Sequence, residues 1–206
     1  GNSSEATSVA FQRMYAKHPA IAAEHQGVKV LAVFTHGPGI VFNTKRAIAK
    51  ADDLAGLKFR VGGGMVNEIS KALGMNVTLK PAPESYELLS TGVMDGTLFP
   101  AESVEGFKID KVIKYATQFP GGLYNTSFVF MMNQDKYKAL SAQDKAVVDK
   151  LSGEVAARMF GEGWDKVDAA SRDGAQKAQG VSRIVADKAF VKAVMDKQDY
   201  LETKWA

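Results

Sequence analysis

Arg60 is the residue whose type and position point most directly to chemistry. It stands in the apolar stretch Leu57–Val61, which is followed by Gly62-Gly63-Gly64 and then by a helical pattern. The pattern predicts a strand that delivers one guanidinium to a glycine turn and a helix start. Guanidinium groups and the free amides of a helix start both bind carboxylates. Arg60 would therefore bind a small anion, unless it makes a salt bridge on the surface or between lobes.

The three glycines after Arg60 have more than one interpretation. A phosphate-binding P-loop needs a lysine and a serine or threonine after its last glycine, and these are absent. A dinucleotide fingerprint needs a third glycine where Asn67 stands. The glycines would then either permit a tight turn or let an anionic ligand approach the backbone at Gly63 beside Arg60.

Four further residues are candidates for a ligand site. Phe99 ends a predicted strand, at the level where α/β sheets bind ligands, and would be a core residue or an aromatic wall of the site. Tyr124 and Asn125 follow a possible hinge at Gly121-Gly122, where they would close on a ligand by hydrogen bonds, although Tyr124 could equally be a core residue. His36 lies in a loop after an apolar strand, where it would line a pocket or be a solvated or packed histidine.

The composition excludes several classes of function. The 206 residues contain no cysteine, so disulfides, thiolate metal sites and cysteine nucleophiles are excluded. The net charge of +3 is spread along the chain, which disfavours nucleic acid as a partner, and no stretch is apolar enough to span a membrane. No serine elbow, paired-histidine spacing or cofactor motif is present. These absences favour a binding protein without cofactor, metal or catalytic residues.

Short strands that alternate with helices predict an α/β fold with two lobes. Glycine and proline breaks near residues 37–39 and 121–122 are the predicted crossings between the lobes. The predicted first lobe contains residues 1–38 and 126–163, and the second contains residues 39–125 and 164–206. Ser127–Met132 is apolar on both faces and predicts a central strand. Lys111–Thr117 predicts another strand, and a capping box at Ser141 predicts the start of a long helix with a bend or break near Gly161 and Gly163.

Several segments, in order and spacing, make the chain resemble a known family, the DctP-type extracytoplasmic solute receptors of TRAP transporters. The segments that carry this resemblance are Gly56-Leu57-Lys58-Phe59-Arg60-Val61, Ala72-Leu73-Gly74, Tyr86 to Gly96, Pro100 and Met132-Asn133-Gln134-Asp135-Lys136-Tyr137. The match covers nearly all of the chain from about Val28 onward.

The resemblance implies a two-lobed fold like that of type II periplasmic binding proteins, with crossing strands and a long interlobe helix. It implies lobes that close on a small organic acid, whose carboxylate pairs with the arginine at the position of Arg60. It also implies secretion to the periplasm, through a signal peptide that this chain does not contain, and delivery of the acid to TRAP membrane permease subunits.

The chain departs from the family pattern in three places. Family members begin with an additional strand and helix, so we expect an incomplete first lobe. Receptors for sugar acids often carry an asparagine where this chain has Phe99, and a second arginine near Ile40. Both changes predict a monocarboxylate ligand with an apolar or aromatic body. The alternatives are an α/β enzyme that acts on a small carboxylate or phosphate, and a receptor domain that senses a ligand for a signalling partner.

Overall fold

The computed structural model describes residues 1–205, which form two compact units. Unit 1 contains Gly1–Gly37 and Thr126–Lys166, and unit 2 contains Pro38–Asn125 and the residues from Val167 onward. Strands and helices occur in both units, which confirms the α/β class predicted from the sequence.

The strands of the described chain are β1 (Val28–Thr35), β2 (Ile40–Asn43), β3 (Lys58–Val61), β4 (Asn76–Leu79), β5 (Gly96–Phe99), β6 (Tyr115–Gln118), β7 (Ser127–Asn133) and β8 (Ser182–Val185). The α-helices are α1 (Ser4–Lys17), α2 (Pro19–Ala23), α3 (Met65–Ala72), α4 (Ser85–Ser90), α5 (Ser103–Gly106), α6 (Gln134–Ala139), α7 (Ala142–Leu151), α8 (Glu154–Asp173), α9 (Ala175–Ala178) and α10 (Lys188–Trp205). Short 3₁₀ turns lie at Ala51–Leu54, Ala82–Glu84 and Ile109–Lys111.

Unit 1 has a two-stranded antiparallel sheet in which β1 pairs with β7. Helix α1 covers the outer edge of β1 through a stripe of polar side chains at Ser4, Ser8 and Gln12. The Gln12 side chain accepts a hydrogen bond from the amide of Val33 at 2.9 Å, and Ser8 accepts one from the amide of Thr35 at 3.0 Å. Ser4 donates to the carbonyl of Thr35 at 2.7 Å. Because these residues are four apart, they lie on one face of the helix and satisfy the strand edge.

Helix α8 fixes the start of α1. The carboxylate of Asp165 accepts hydrogen bonds from the amides of Ser4 and Glu5 at 2.6 and 3.2 Å, which satisfies donors at the first turn. A Cβ on Gly161 would lie 2.4 Å from the Cα of Glu5, so the close approach of the two helices needs a glycine there. Helix α8 continues through Gly161 and Gly163, so the helix does not break there.

Unit 2 is built on a six-stranded mixed sheet in the order β4-β3-β5-β2-β6-β8. Strand β3 runs parallel to β4 and β5, whereas β2 runs antiparallel to β5 and β6. Phe59, Val61 and Leu98 belong to the core cluster on one face, together with apolar side chains of α3 and α10. Phe42 and Phe99 belong to a second cluster on the other face. Since side chains alternate along a strand, Arg60 faces the second cluster.

Three predictions about individual elements need correction. The strand predicted over Lys111–Thr117 begins only at Tyr115, because Ile109–Lys111 forms a 3₁₀ turn. The central strand predicted at Ser127–Met132 has a single strand partner among the described residues, and its side chains are mostly exposed. The long helix predicted from Ser141 is divided into α7 and α8, because Gly153 adopts a φ of 66° between them.

Candidate functional site

Strand β3 holds Arg60 in the interior of unit 2. The residue is 4% exposed, and its register partners are Thr78 on β4 and Thr97 on β5. Its Nε donates a hydrogen bond to the carbonyl of Lys80 at 2.8 Å. Its guanidinium carbon lies 4.7 Å from the centre of the Phe99 ring, within the range of a cation–π contact. The strand and these two contacts give the guanidinium a fixed position.

The terminal nitrogens of Arg60 have no protein partner among residues 1–205. No ion pair or further hydrogen bond to the guanidinium occurs within that part of the chain. The charge of Glu84 affects Arg60, but the Glu84 carboxylate lies 3.4 Å from the ammonium of Lys80. Burial lowers the pKa of Arg60, yet the group stays protonated at neutral pH because guanidinium pKa values are so high. The structure thus presents a buried cation whose terminal donors are available to an anion.

Phe99 is a core residue, which is one of the two roles that the sequence left open; its role as a wall of the site stays a prediction. It is 6% exposed and belongs to the second core cluster of unit 2, while its ring also contacts the Arg60 guanidinium. Phe107 stacks on the Phe99 ring with the ring centres 5.1 Å apart. Ile40 is the register partner of Phe99 on β2, so the surroundings of the ring are apolar. The immediate neighbour of the cation is therefore an aromatic ring in apolar surroundings.

Tyr124 lies close to Arg60 and is buried. Burial raises the pKa of its hydroxyl, which the charge of Arg60 opposes, so the hydroxyl is protonated at neutral pH. The Tyr124 ring packs directly against Gly39, where an added Cβ would lie 2.2 Å from a ring carbon. The amide of Gly39 also donates to the carbonyl of Tyr124 at 2.9 Å. Only a glycine at position 39 leaves room for the Tyr124 ring.

The other predicted site residues are placed as follows. Gly63 lies in the turn between β3 and α3, but the positive φ of that turn, 77°, falls on Gly64. Asn125 is half-buried next to Tyr124 in the chain. His36 belongs to unit 1, where its Nε2 accepts a hydrogen bond from the amide of Thr126 at 3.1 Å. The structure thus brings Arg60 into contact with Phe99 and places Tyr124 near enough for its pKa to respond to the Arg60 charge. The ligand-binding roles of all six residues stay predictions.

Two residues of the candidate site were missed in the sequence. Thr97 is fully buried, pairs in register with Arg60, and its hydroxyl has no hydrogen-bond partner within residues 1–205. Its position two residues before Phe99, on the same face of β5, was the available signal. Phe107 follows a short helix, and nothing in its local pattern indicated that it stacks on Phe99.

The described residues also limit other kinds of site. Among the side chains that the structure describes, which exclude those of residues 202 and 204–206, no group of three histidine or acidic residues converges as a metal site would require. No helix in that range has both the length and the apolar character needed to cross a membrane.

Comparison with known proteins identifies the family. Residues 2–205 match the family described as "Bacterial extracellular solute-binding protein, family 7", also called DctP. The outer membrane transporter protein TsaT of Comamonas testosteroni is 32% identical over 200 residues, which are 97% of this chain and 59% of that protein.

Solved structures of TRAP solute-binding proteins superimpose on the whole chain. A periplasmic protein of Bordetella bronchiseptica with bound (R)- and (S)-mandelate is 43% identical, with a TM-score of 0.94 over 100% of this chain and 65% of that chain. A marine metagenome protein specific for aromatic acids, in complex with metahydroxyphenylacetate, is 32% identical, with a TM-score of 0.93 over 100% and 64% of the two chains.

The chain spans less than two thirds of the length of these relatives. The resemblance noted in the sequence is confirmed, and the likeness to TRAP solute-binding proteins agrees with the predicted two-lobed α/β fold. From the family match over residues 2–205, the chain belongs to the bacterial extracellular solute-binding proteins of family 7, the DctP family of TRAP receptors.

Proposed function

We propose that the chain captures a small organic monocarboxylate, preferably with an aromatic body, as the receptor of a TRAP transporter. The observation that carries this proposal is the buried guanidinium of Arg60, whose terminal nitrogens lack a protein partner within residues 1–205 and which lies 4.7 Å from the ring centre of Phe99. A ligand carboxylate would form charge-assisted hydrogen bonds there and offset the cost of burying the cation.

The surroundings of Arg60 favour one acid group and an apolar body. Ile40 and Phe42 are buried on the face that Arg60 shares, and Phe99 lies against the guanidinium. A second ligand carboxylate in these surroundings would be desolvated without a partner, which is costly. An aromatic ligand would instead gain about 0.5–1.5 kcal/mol beyond area burial by stacking or edge contact with a ring.

Relatives with solved structures support this choice of ligand class. Three TRAP solute-binding proteins that are 28–43% identical to this chain hold mandelate, metahydroxyphenylacetate or benzoate. Each of these is an aromatic acid with a single carboxylate. Structures with bound L-malate or galacturonate are only 17% and 21% identical to this chain.

Equilibrium binding tests the proposal. We expect mandelate and benzoate to bind the chain in calorimetric titrations, and malate to bind far more weakly. Arg60→Gln should weaken mandelate binding by about thirtyfold or more, because truncating one partner of a buried charge pair costs roughly 2 kcal/mol or more. Arg46→Gln is the matched control, since Arg46 is exposed in the same unit and donates to the carbonyls of Asp53 and Ala55.

The same titrations separate a receptor from an enzyme. A receptor should return the acid unchanged after overnight incubation, as measured by mass spectrometry, whereas conversion of the acid would favour the α/β enzyme. Mandelate affinity that survives in the Arg60→Gln variant would place the site elsewhere. Tighter binding of malate than of mandelate would overturn the monocarboxylate assignment.

Delivery to a membrane partner is part of the same proposal. Membership of an extracellular solute-binding family supports a periplasmic location and a TRAP permease as the recipient of the acid. We expect the chain to stimulate uptake of radiolabelled mandelate into proteoliposomes that contain a TRAP permease. Equal uptake with and without the chain would contradict this role.

A further inference from the structure

A buried polar cluster lies directly behind the loop that carries Phe99. Its members are Asp168 on α8, Ser171 on the same helix, and Gln176 on α9, and each is at most 1% exposed. The three side chains converge on a single peptide group, which carries the carbonyl of Ala101 and the amide of Glu102. We call Asp168, Ser171 and Gln176 the loop clamp.

The hydrogen bonds of the loop clamp form a connected network. Ser171 Oγ donates to the carbonyl of Ala101 at 2.7 Å, and Gln176 Nε2 donates to the same carbonyl at 3.3 Å. Gln176 Nε2 also lies 3.1 Å from Ser171 Oγ, to which it donates. Asp168 Oδ1 accepts from the amide of Glu102 at 2.8 Å. Two successive residues of the loop are therefore held through one acceptor and one donor.

The clamped loop begins where β5 ends. Phe99 is the last residue of β5, and Pro100 has no amide proton and a restricted φ. The sheet therefore gives the chain no further support between Phe99 and the start of α5 at Ser103. The loop clamp supplies that support from another part of the sequence, at a separation of 66 to 75 residues.

Loop position decides how the Phe99 ring meets a ligand. The centre of the ring lies 4.7 Å from the guanidinium carbon of Arg60 and 5.1 Å from the centre of the Phe107 ring. Contacts of this kind weaken steeply when a ring moves by half an ångström to one ångström. Because the proline ring fixes φ at Pro100, a shift of Ala101 would also displace Phe99.

We propose that Asp168, Ser171 and Gln176 are positioning residues that set the preference of the site for aromatic acids, by fixing the Phe99 ring beside Arg60. This inference rests on the proposed function, because it concerns the same carboxylate site. None of the three is proposed to touch the ligand.

The test compares two 2-hydroxy acids that share a head group. Mandelate carries a phenyl ring and lactate a methyl group, so the ratio of their dissociation constants reports the ring contact alone. We expect the double variant Ser171→Ala/Gln176→Met to keep its lactate affinity and to lose roughly twofold to tenfold in mandelate affinity, which is the range of one aromatic contact. The control is Gln198→Met, which changes a side chain on α10 whose Nε2 has no hydrogen-bond partner in the described part of the chain.

The outcomes separate the two proposals. A wild-type chain that binds no mandelate would overturn the proposed function and this assignment with it. A wild-type chain that binds mandelate, with a ratio unchanged in the double variant, would overturn the positioning role alone. An equal change of the ratio in Gln198→Met would overturn it as well, because the effect would then be general loosening of the unit. If the double variant does not fold, Ser171→Ala alone is measured in the same way, and failure of both to fold would contradict a role confined to the loop.

A ligand-free measurement gives an independent reading. The side-chain NεH resonance of Arg60, assigned from its loss in Arg60→Lys, reports the ring current of Phe99. We expect this resonance to shift in Ser171→Ala/Gln176→Met and to stay in place in Gln198→Met. An unchanged resonance in the double variant would show that the ring has not moved, and would overturn the inference.

Discussion

The six-stranded sheet of unit 2 and the two-stranded sheet of unit 1 bury their strands to different degrees. All four residues of β5 are buried, whereas Phe130 and Met131 on β7 are 47% and 50% exposed. Both strands are apolar, so their composition does not explain the difference. Strand β5 has a neighbour on each side and a core cluster on each face, whereas β7 has one neighbour within the described chain.

The difference shows why the candidate site lies in unit 2. A guanidinium held in a fixed direction needs a strand whose own position is fixed on both edges and both faces. Strand β3 meets this requirement between β4 and β5, and its neighbour β5 supplies Phe99. Strand β7 also carries aromatic side chains, but Phe128 and Phe130 are 37% and 47% exposed.

The largest expected effect comes from removing matched rings in the two sheets. Phe59→Ala should lower the free energy of unfolding by about 3–5 kcal/mol, because Phe59 is fully buried in the core of unit 2. Phe130→Ala should lower it by about 1 kcal/mol, since nearly half of this side chain is already exposed. Urea unfolding of the two variants beside the wild type measures both values. Equal losses would mean that the two sheets are equally buried in solution.

The sequence was informative where a property is local. The apolar stretch Leu57–Val61 predicted the strand that carries Arg60, and the residues before Pro100 predicted the strand that ends at Phe99. The prediction for β7 failed because it depends on neighbouring strands: its apolar faces predicted a central strand, but it has one strand partner within the described chain.

Contacts between distant parts of the chain could not be predicted in this way. Lys80, whose carbonyl accepts a hydrogen bond from Arg60, is 20 residues from it in the sequence. Asp168, which accepts a hydrogen bond from the amide of Glu102, is 66 residues from that residue. Such partners depend on strand register and helix packing, which no local pattern encodes. The same holds for Gly161, whose role is close helix contact and whose type alone predicted a bend or break.

Two glycines two residues apart on α8 test the packing within unit 1. Gly161→Ala should lower the free energy of unfolding by about 1–3 kcal/mol, because the new Cβ would overlap the backbone of Glu5. Gly163→Ala should raise it by up to about 1 kcal/mol, because nothing lies within 4 Å of its Cβ position and alanine favours the helix. Thermal or urea unfolding gives the two signs. Stabilisation by both substitutions would show that α1 does not pack on α8 as described.

His36 should make the folding stability of unit 1 sensitive to mild acid. Unit 2 contains no histidine that could have the same effect. Burial lowers the pKa of His36, whose Nε2 accepts the Thr126 amide in the neutral form. The unfolded chain, with an ordinary histidine pKa of about 6.5, therefore binds the proton more readily than the folded chain. The contribution of neutral His36 to the free energy of unfolding is therefore fully present above about pH 6.5. It is lost as the pH drops from about 6.5 towards the lowered pKa.

The variant His36→Gln should flatten this part of the stability profile, because glutamine offers an acceptor that does not titrate. The exposed His18, replaced in the same way, is the control for the loss of a histidine elsewhere in unit 1. Urea unfolding at a series of pH values between 4 and 8 measures the slope. A slope that persists in His36→Gln would assign the acid sensitivity to other groups.

The smallest effect on stability is expected at the open side of β7, where the consequence is association. Exposed apolar strand edges pair with other chains, and β7 carries no charged residue that would prevent this. Met131→Lys places a charge on the strand and should reduce concentration-dependent association, seen by sedimentation velocity, while the free energy of unfolding stays within about 0.5 kcal/mol. Met14→Lys is the control, because Met14 is 51% exposed on helix α1, away from the strand. If both variants reduce association equally, the added net charge is the cause. If only Met131→Lys reduces it, the exposed strand β7 drives association, and the difference in strand burial between the two sheets affects the behaviour of the chain in solution.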